Sequence, residues 1–339
     1  MLLVSLPASL FALAPVFFDT AGRLQRVPAP ANPGTTRFYT LVHNGQSLVK
    51  ADGGGWKPAL LSASEVSEVG GGGALQVFLG SVEDAASPLQ RGDYWLLETS
   101  ALDEQPPASI GGDGAAWEPL RARAGPSVCD ALEVDEAALL ATARGLAHWH
   151  NSVRFCSKCG SAEVVPYRNG KGRRCNVCSE RFRPRLDASV IVLVLDATRS
   201  RCLLGRKAAW PTGRYSTLAG FVEFGETLEE CVVREVCEES GCSVDRSTLD
   251  FVASQPWLFP RSLMVGFTVC AAPSEGADAA LAVDEDELED ARWFSKEYVR
   301  EQLGLEREAG RDGPAVEGGF HVPSRVSLAR TLIESWLAE

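Results

Sequence analysis

The sequence predicts an α+β protein with three parts: a β-rich N-terminal domain, a small zinc ribbon and a C-terminal domain of strands and helices. Three observations carry this prediction. Short apolar runs alternate with glycine and proline clusters in roughly the first 130 residues, as in strands joined by loops. Two pairs of cysteines follow. Beyond them, apolar runs of strand length flank one amphipathic helix.

The composition narrows the class of protein. With 45% hydrophobic and 23% charged residues in 339, the chain resembles soluble globular proteins of two or three domains. Its 33 basic and 45 acidic residues give a net charge of −12, which argues against a broad nucleic-acid-binding surface. Binding of one polyphosphate molecule is still compatible with this charge, because metal ions can invert the sign of a local field.

Ten cysteines are present, but a chain of this length and apolar content does not depend on a disulfide framework. Four of them form the two pairs. Others, such as Cys231, Cys237 and Cys270, stand in apolar surroundings that predict small buried thiols. This usage fits a reducing compartment, and we expect the protein in the cytoplasm.

The first 18 residues carry no charged side chain. A secretory signal would need a basic start, and the first basic residue is Arg23. Pro7 and Pro15 interrupt the apolar run that a membrane helix would need. We favour strands of the N-terminal domain here, with targeting to a peroxisome, mitochondrion or plastid, and a membrane anchor, as the alternatives. The last three residues are not a peroxisomal signal, and we expect no membrane partner.

Residues 1–134 form the predicted N-terminal domain. Residues 38–42 and 75–79 have the composition of strands, and glycine clusters such as residues 70–73 separate such runs. No catalytic constellation is evident, and His43 is interpreted as a surface histidine or one with its hydrogen bonds satisfied. Residues 135–151 are predicted as a linking helix, because apolar side chains recur at helical spacing after an acidic start.

Residues 152–184 contain the two cysteine pairs, Cys156 with Cys159 and Cys175 with Cys178, separated by 15 residues. Two C-x-x-C knuckles at this separation are a strong zinc-ribbon pattern. Four thiolates complete a tetrahedral site without a place for catalytic water, so we expect one structural zinc ion and disfavour redox chemistry. Basic residues cluster here: Arg168, Lys171, Arg173, Arg174, Arg181, Arg183 and Arg185. They either contact nucleic acid or, as we favour, balance an acidic neighbour.

Residues 185–339 form the predicted C-terminal domain. A fully buried strand is expected at residues 189–195, with a hairpin partner at 203–206 and a second buried strand at 263–270. A helix at residues 327–337 closes the chain. Residues 254–262, with the sequence SQPWLFPRS, are predicted as a stiff loop whose aromatic faces could stack on a planar base, although core packing is their commoner use.

A helix is predicted to begin at Thr227 and to end at Gly241, a natural C-terminal stop. At about 100° per residue, one side collects Val232, Val233, Val236 and Cys237. A roughly opposite arc collects Glu235, Glu238 and Glu239. Carboxylates at this spacing are neighbours, and they repel one another unless a cation lies among them. Mg²⁺ or Mn²⁺ would suit these hard oxygen ligands and would hold a substrate phosphate, whereas a solvated acidic face is the alternative.

The stretch from Gly220 to Cys242 also contains Glu226 and Arg234, and it fits the pattern G-x5-E-x7-R-E-U-x-E-E-x-G-U, where U is bulky and apolar. Only Cys242, at the last apolar place, departs from it. This pattern resembles the Nudix box, and the resemblance implies a Nudix fold, a mixed sheet between helices. The order of N-terminal domain, ribbon, box and SQPWLFPRS is similar to the NADH pyrophosphatase family, whose motif has proline where this chain has Leu258.

The resemblance implies a role for each matching residue. Divalent ions would be held by Glu235, Glu238, Glu239, Glu287 and the backbone carbonyl of Ala219. The nucleotide pocket would be shaped by Gln255, Pro256, Trp257, Leu258, Phe259, Pro260, Arg261 and Ser262, with Ala329 as a further contact. Glu238 is the first choice for general base, and Glu226 would organise the box. Arg183 stands where the family often has a substrate-contacting tyrosine, and it is a departure from the family pattern. Family members are commonly homodimers.

The implied reaction is hydrolysis of the pyrophosphate bond of NADH or NAD⁺, which gives nicotinamide mononucleotide and AMP. An activated water attacks one phosphorus while divalent ions neutralise the developing charge. NAD-capped RNA is a further implied substrate. One alternative keeps the hydrolase but changes its substrate to ADP-ribose or another nucleoside diphosphate derivative. A second alternative is a zinc-ribbon RNA-binding protein with an inactive Nudix domain.

Overall fold

The computed structural model describes residues 24–25, 35–69, 74–82, 87, 89–102, 104–121, 127–272, 281–308 and 318–339. The uncharged segment 1–18 and the glycine cluster at residues 70–73 lie outside these ranges. The chain divides into two compact units. The first unit runs to Arg185 and includes Leu258–Arg261, and the second unit comprises Leu186–Trp257 and Ser262–Glu339.

The first unit is dominated by strands. These are β1 (Leu24–Gln25), β2 (Arg37–His43), β3 (Gln46–Asp52), β4 (Gly55–Pro58), β5 (Leu75–Val82), β6 (Gly92–Glu98), β7 (Ala115–Glu118), β8 (Val164–Tyr167), β9 (Gly172–Cys175) and β10 (Arg181–Phe182). Its helices are α1 (Ala63–Glu68) and α2 (Val134–Ser152), with 3-10 turns at Ala108–Gly111 and Val128–Ala131.

The second unit mixes strands and helices more evenly. Its strands are β11 (Asp187–Leu195), β12 (Arg201–Arg206), β13 (Leu218–Phe221), β14 (Val244–Trp257), β15 (Ser262–Ala271) and β16 (Asp290–Ser295). Its helices are α3 (Leu228–Ser240), α4 (Lys296–Glu308) and α5 (Leu328–Ala338). Of the helices in the described ranges, none combines the length and the apolar character needed to cross a membrane.

Seven strands of the first unit form one mixed sheet in the order β1-β5-β6-β2-β3-β4, with β7 paired to β3. Helix α2 covers this sheet because Leu139, Ala143 and Ala147 recur every four residues and pack against Val77 and Leu96. The ribbon strands form a separate sheet in the order β10-β9-β8. The prediction of a β-rich N-terminal region is confirmed, and the linking helix is present.

The six-stranded sheet of the second unit has the order β14-β15-β11-β12-β16, with β13 paired to β11. Strands β11 and β15 run parallel over nine residue pairs, and the remaining pairs are antiparallel. Successive β11 side chains point to opposite faces. Ile191, Leu193 and Leu195 pack in the core under α5, whereas Val190, Val192 and Val194 pack in the core under α3. The mixed sheet therefore lies between helices, as predicted.

The two large sheets share one strand plan. In the first unit, β2 is parallel to β6 and antiparallel to β3, and β5 lies outside β6. In the second unit, β11 is parallel to β15 and antiparallel to β12, and β14 lies outside β15. An isolated bridge from Tyr39 to Leu61 corresponds to the β11–β13 pairing, and α1 then follows as α3 follows β13.

Two expectations from the sequence are wrong. Residues 254–257 are not part of a loop, because β14 continues to Trp257 and pairs with β15 down to Ser262. Only residues 258–261 form the turn. Cys237 is exposed rather than buried. The buried side of α3 is instead rotated towards the residues Cys231, Val232, Glu235, Val236 and Glu239.

Candidate active site

Helix α3 carries most of the candidate site, and its ends are fixed by local hydrogen bonds. The Thr227 hydroxyl accepts a hydrogen bond from the backbone N–H of Glu230, while the Glu230 carboxylate accepts one from the Thr227 N–H. Gly241 ends the helix in the left-handed conformation, with φ 69°. The apolar side chains of Cys231, Val232 and Val236 are fully buried against the sheet.

Two of the three predicted carboxylates lie on the buried side of this helix. Glu235 is 8% exposed and Glu239 is 2% exposed, whereas the side chain of Glu238 is 58% exposed. The sequence had placed all three on an arc facing away from the core, and this expectation is wrong for Glu235 and Glu239. Burial of carboxylates without full neutralisation is unfavourable, so a helix that does this needs a compensating cation or hydrogen bonds.

Arg234 supplies one such cation. Its Nε and Nη2 donate to the two carboxylate oxygens of Glu226, each at 2.8 Å, which is the paired geometry that arginine favours. Its Nη1 donates to Glu235 at 2.9 Å and to Glu238 at 2.8 Å, and Nη2 also donates to the Phe221 carbonyl at 2.9 Å. One guanidinium therefore connects three glutamates and the end of strand β13.

Strand β13 approaches the helix closely at Gly220. A Cβ atom at this position would lie 1.8 Å from the carboxyl carbon of Glu235 and 2.0 Å from both its oxygens. Only glycine leaves room for that carboxylate. Next to it, the Ala219 N–H donates to Glu239 at 3.3 Å, and the Ser189 hydroxyl donates to the Gly220 carbonyl at 2.7 Å. Ala219 thus lies beside Glu239.

The electrostatics separate the carboxylates into two kinds. Hydrogen bonds from Arg234 lower the pKa of Glu226 to about 2. Burial raises the pKa of Glu235, although Arg234 opposes this shift. Burial also raises the pKa of Glu239, to about 7. The Lys207 ammonium opposes the shift at Glu239, and the exposed Glu287 carboxylate adds to both shifts. Glu239 is therefore the carboxylate with the least compensation in the cluster.

The donor set fits a divalent cation. Glu235, Glu238, Glu239 and Glu287 offer hard oxygen ligands, and a cation would stabilise the charged form of the two buried ones, whose pKa values are raised by burial. In the structure, Arg234 holds Glu235 and Glu238 through one nitrogen. Among the described residues, one group of three or more His, Cys, Asp or Glu side chains has ligand atoms that all lie within 4.8 Å of one another, and this group is the four cysteines. The described glutamates do not form a group of this kind.

The four predicted zinc ligands converge. The sulfurs of Cys156 and Cys178 are 3.5 Å apart, and those of Cys159 and Cys175 are 3.6 Å apart. A tetrahedral zinc ion with Zn–S bonds of about 2.3 Å separates its sulfurs by about 3.8 Å. The cluster is thus compatible with a zinc ribbon, and the residues fit a structural zinc ion.

The predicted pocket residues divide into two groups. Gln255 is 2% exposed, and its amide is bonded to the backbone at the start of the C-terminal helix: it donates to the Val326 carbonyl, just before the helix, at 2.8 Å and accepts from the Leu328 N–H at 2.9 Å. Ala329, the next residue, is also buried. The structure therefore brings these two together. Pro256 and Trp257 pair with Leu263 and Ser262 at the end of the β14–β15 hairpin.

The turn of that hairpin, residues 258–261, is held by a residue that the sequence did not single out. Arg144 of α2 donates from Nη1 to the Leu258 carbonyl at 3.1 Å, and its guanidinium carbon lies 5.2 Å from the centre of the Phe259 ring. Pro260 and Arg261 complete the turn. The one signal in the sequence that could have indicated Arg144 is that it is a basic residue within an otherwise apolar helical pattern. Lys207, also missed, directly follows the predicted strand at residues 203–206.

Comparison with known families decides the assignment. Residues 185–313 match the NUDIX domain, and residues 36–149 match the NADH pyrophosphatase-like rudimentary NUDIX domain. The chain contains a NUDIX domain. The site built on α3 and β13 lies within it, and the strand plan shared by the two large sheets is explained by the rudimentary NUDIX domain in the first unit.

Relatives of this chain include two with named activities. The chain is 40% identical over 200 residues to the NAD-capped RNA hydrolase NudC of Mycobacterium bovis (strain BCG / Pasteur 1173P2), a match covering 59% of the chain and 60% of the relative. It is 37% identical over 214 residues to the human NAD-capped RNA hydrolase NUDT12, covering 61% of the chain and 43% of the relative. The match thus spans less than two thirds of either relative.

Proposed function

We propose that this NUDIX protein hydrolyses the pyrophosphate bond of NADH and NAD⁺ to give nicotinamide mononucleotide and AMP, and that it removes NAD caps from RNA. The observation that carries the proposal is the pair of buried carboxylates, Glu235 and Glu239, beside the exposed Glu238 and the glycine that admits them. The named activities of the mycobacterial and human relatives support the choice of substrate.

The chain would prepare the reaction by holding its acids at fixed positions. Glu235, Glu238, Glu239, Glu287 and the Ala219 carbonyl would hold Mg²⁺ or Mn²⁺, which would supply neutralising charge to the phosphate oxygens. Arg234 fixes Glu226 and so anchors the turn before α3. Because Arg234 also contacts Glu238 in this structure, loading of the site would require the exposed Glu238 to exchange that partner.

Proton transfer would fall to Glu238. Its exposed side chain can reach an attacking water, whereas Glu235 and Glu239 lie beneath the surface of the cluster. A carboxylate with solvent access can also pass the proton on to bulk water after the bond is cleaved. Glu235 and Glu239 would serve as ligands.

The end of the β14–β15 hairpin, with Gln255 and Ala329 beside it, would bind the dinucleotide. Gln255 and Ala329 would support this site from the protein core, because the Gln255 amide joins β14 to the start of α5 through two hydrogen bonds. Pro256, Trp257 and Ser262 would line the hairpin end, and Leu258, Phe259, Pro260 and Arg261 its turn. The aromatic rings of Trp257 and Phe259 offer planar surfaces for a base.

Release of AMP from NADH in the presence of Mg²⁺ or Mn²⁺ tests the proposal. We expect Glu238→Gln to lower kcat by at least about 100-fold, the usual range for a general base, with little change in folding because the side chain is exposed. Glu229→Gln, an exposed glutamate on the same helix, is the matched control and should retain activity. Full activity in Glu238→Gln would refute this assignment of the base.

Substrate choice needs a separate comparison. Values of kcat/KM for NADH, NAD⁺, ADP-ribose and NAD-capped RNA should be measured on one preparation, because the acid cluster engages only the phosphates and does not distinguish the attached groups. A preference for ADP-ribose would favour the alternative pyrophosphatase activity. RNA binding without cleavage of any of these substrates would favour an inactive domain, which the retained acid cluster argues against.

The remaining proposals concern organisation. We place the domain boundaries at residues 1–134, 135–151, 152–184 and 185–339, which limited proteolysis tests. One zinc ion per chain on the four cysteines is tested by elemental analysis, and a homodimer by light scattering. Residence in the cytoplasm is tested by fractionation, with an organelle as the alternative outcome.

A further inference from the structure

The ribbon is the most strongly basic part of the chain. Residues 152–185 contain nine lysines and arginines but only two acidic residues, Glu163 and Glu180, which is a charge of +7. A zinc ion on four thiolates would add −2, leaving +5. The whole chain carries −12, so the remainder of the chain carries −19. The basic charge is therefore concentrated on one small element of an acidic protein.

Part of this charge lies on one exposed face of the ribbon sheet. Val165 pairs with Arg174, and Arg174 pairs with Arg181, so these three side chains share a face. Tyr167, two residues beyond Val165, lies on the same face. Arg174 and Arg181 are exposed, and Val165 is 37% exposed. We call Val165, Tyr167, Arg168, Arg174 and Arg181 the ribbon face.

Two arginines of the ribbon face are held against an aromatic ring. The guanidinium carbons of Arg168 and Arg181 lie 5.3 Å and 5.5 Å from the centre of the Tyr167 ring. This contact orients the guanidinium planes without neutralising them. In the part of the chain that the structure describes, no carboxylate lies within 4.0 Å of Arg168, Arg174 or Arg181, whereas the ribbon's Lys158 is paired with Glu180.

The turn that contains Arg168 is held in place by two hydrogen bonds to its backbone carbonyls. The Phe78 N–H donates to the Asn169 carbonyl at 2.9 Å, and the His150 Nε2 donates to the Gly170 carbonyl at 2.7 Å. Arg168 adopts a left-handed backbone with φ 52°, an uncommon conformation for a residue other than glycine. Its position is thus fixed before any partner arrives, which lowers the entropy lost on binding.

We propose that the ribbon face binds the chain of a single-stranded RNA. Unpaired guanidinium groups match the phosphodiester charges, and guanidinium planes ordered by an aromatic ring offer stacking surfaces to unpaired bases. The RNA would be the chain that carries the 5′ group of the proposed function. In that respect the role of the ribbon face rests on the proposed function, although binding of the RNA chain itself does not depend on hydrolysis.

The test uses the full chain and a labelled, unstructured RNA of about 20 nucleotides with a 5′ hydroxyl, so that nothing can be hydrolysed. Fluorescence anisotropy gives Kd at several salt concentrations. For Arg174→Gln/Arg181→Gln we expect at least tenfold weaker binding and a salt slope lower by about 1.4, since each phosphate contact to a single strand contributes about 0.7. Arg246→Gln, an exposed arginine on β14, is the matched control and should change neither quantity.

The aromatic part of the ribbon face has its own variants. Tyr167→Ala should weaken RNA binding by about tenfold, the size of one lost stacking contact, while Tyr167→Phe keeps the ring and should bind as the wild type does. Zinc content and hydrolysis of NADH report whether each variant is folded. Duplex RNA of equal length should bind more weakly, because its bases are not exposed.

Three results would overturn the proposal: wild-type affinity in Arg174→Gln/Arg181→Gln, equal weakening in Arg246→Gln, or duplex binding as tight as single-strand binding. The first would show that the ribbon face is not used. The second would indicate a general effect of net charge. The third would indicate a site that binds polyanions through their phosphates without contacts to the bases. RNA binding as proposed, together with no hydrolysis of NADH, would refute the proposed function and leave the ribbon face intact.

Discussion

Replacement of Arg234 by lysine should damage stability and activity together. Arg234 donates to both oxygens of Glu226, to Glu235, to Glu238 and to the Phe221 carbonyl, all between 2.8 and 2.9 Å. A lysine ammonium has only three donors and cannot make the paired contact to Glu226. At least two charge-assisted bonds are lost beside carboxylates that are largely shielded from water. A hydrogen bond to a charged group contributes about 1.5–3 kcal/mol, and because lysine keeps the positive charge and Arg234 has partial solvent access, we expect a total loss of about 2–3 kcal/mol.

Denaturant unfolding and AMP release from NADH measure the two effects on the same preparation. Above the ordinary pKa of Glu226, 4.5, its interaction with Arg234 stabilises the wild type fully, and this contribution is lost as pH falls towards about 2. The stability difference between wild type and Arg234→Lys should therefore shrink on acidification. Arg246→Lys, at an exposed site, is the control. A loss below about 1 kcal/mol at neutral pH, or a difference that does not shrink, would refute the role of Arg234 as the connector of the acids.

Three further outcomes are expected. Gly220→Ala should reduce stability by about 1–3 kcal/mol and activity more severely, because the new methyl group displaces the Glu235 carboxylate; retained kcat would contradict this. Cys156→Ser and Cys178→Ser should lose the zinc ion and misfold, and active, folded protein without zinc on elemental analysis would exclude the metal site. Burial lowers the pKa of His150 from 6.5 to about 4. The contribution of the neutral histidine to the free energy of unfolding is therefore complete above pH 6.5, and up to about 3 kcal/mol of it is lost as pH falls to about 4. His150→Asn should remove this component of the pH dependence.

Periodicity and capping signals were sufficient to predict the main elements near the site. Thr227 caps the start of α3 and Gly241 its end through interactions with neighbouring residues alone. Strands β11 and β15 are mainly apolar because both faces of the sheet are covered. The four cysteines could be predicted for the same reason, since their spacing alone sets the geometry of the knuckles.

The burial of Glu235 and Glu239 could not be predicted in this way. A helical projection assigns carboxylates to solvent, whereas here two of them face the sheet because Gly220 leaves room and Arg234 returns positive charge. Gly220 lies on β13, so a projection of α3 alone does not contain it, whereas Arg234 is the immediate neighbour of Glu235 on the helix itself. Cys237 was misplaced by the same rotation of the buried side. The hydrogen bond from Arg144 to the Leu258 carbonyl joins residues 114 positions apart, and no local sequence pattern indicates it.

The repeated strand plan shows that the fold alone does not make the site. After the bridge from Leu61, the first unit has only the six-residue helix α1, capped by Ser62, where the second has the 13-residue α3. Glu65 of α1 is used by its own cap: it accepts from the Ser62 N–H and hydroxyl, which lowers the pKa of Glu65. Helix α1, with the sequence ASEVSE, contains no arginine, so it has no counterpart of Arg234, which contacts Glu235 and Glu238 in α3. The residues of this one helix, and not the shared sheet, therefore distinguish the unit that supports the acid cluster from the unit that repeats only its strand plan.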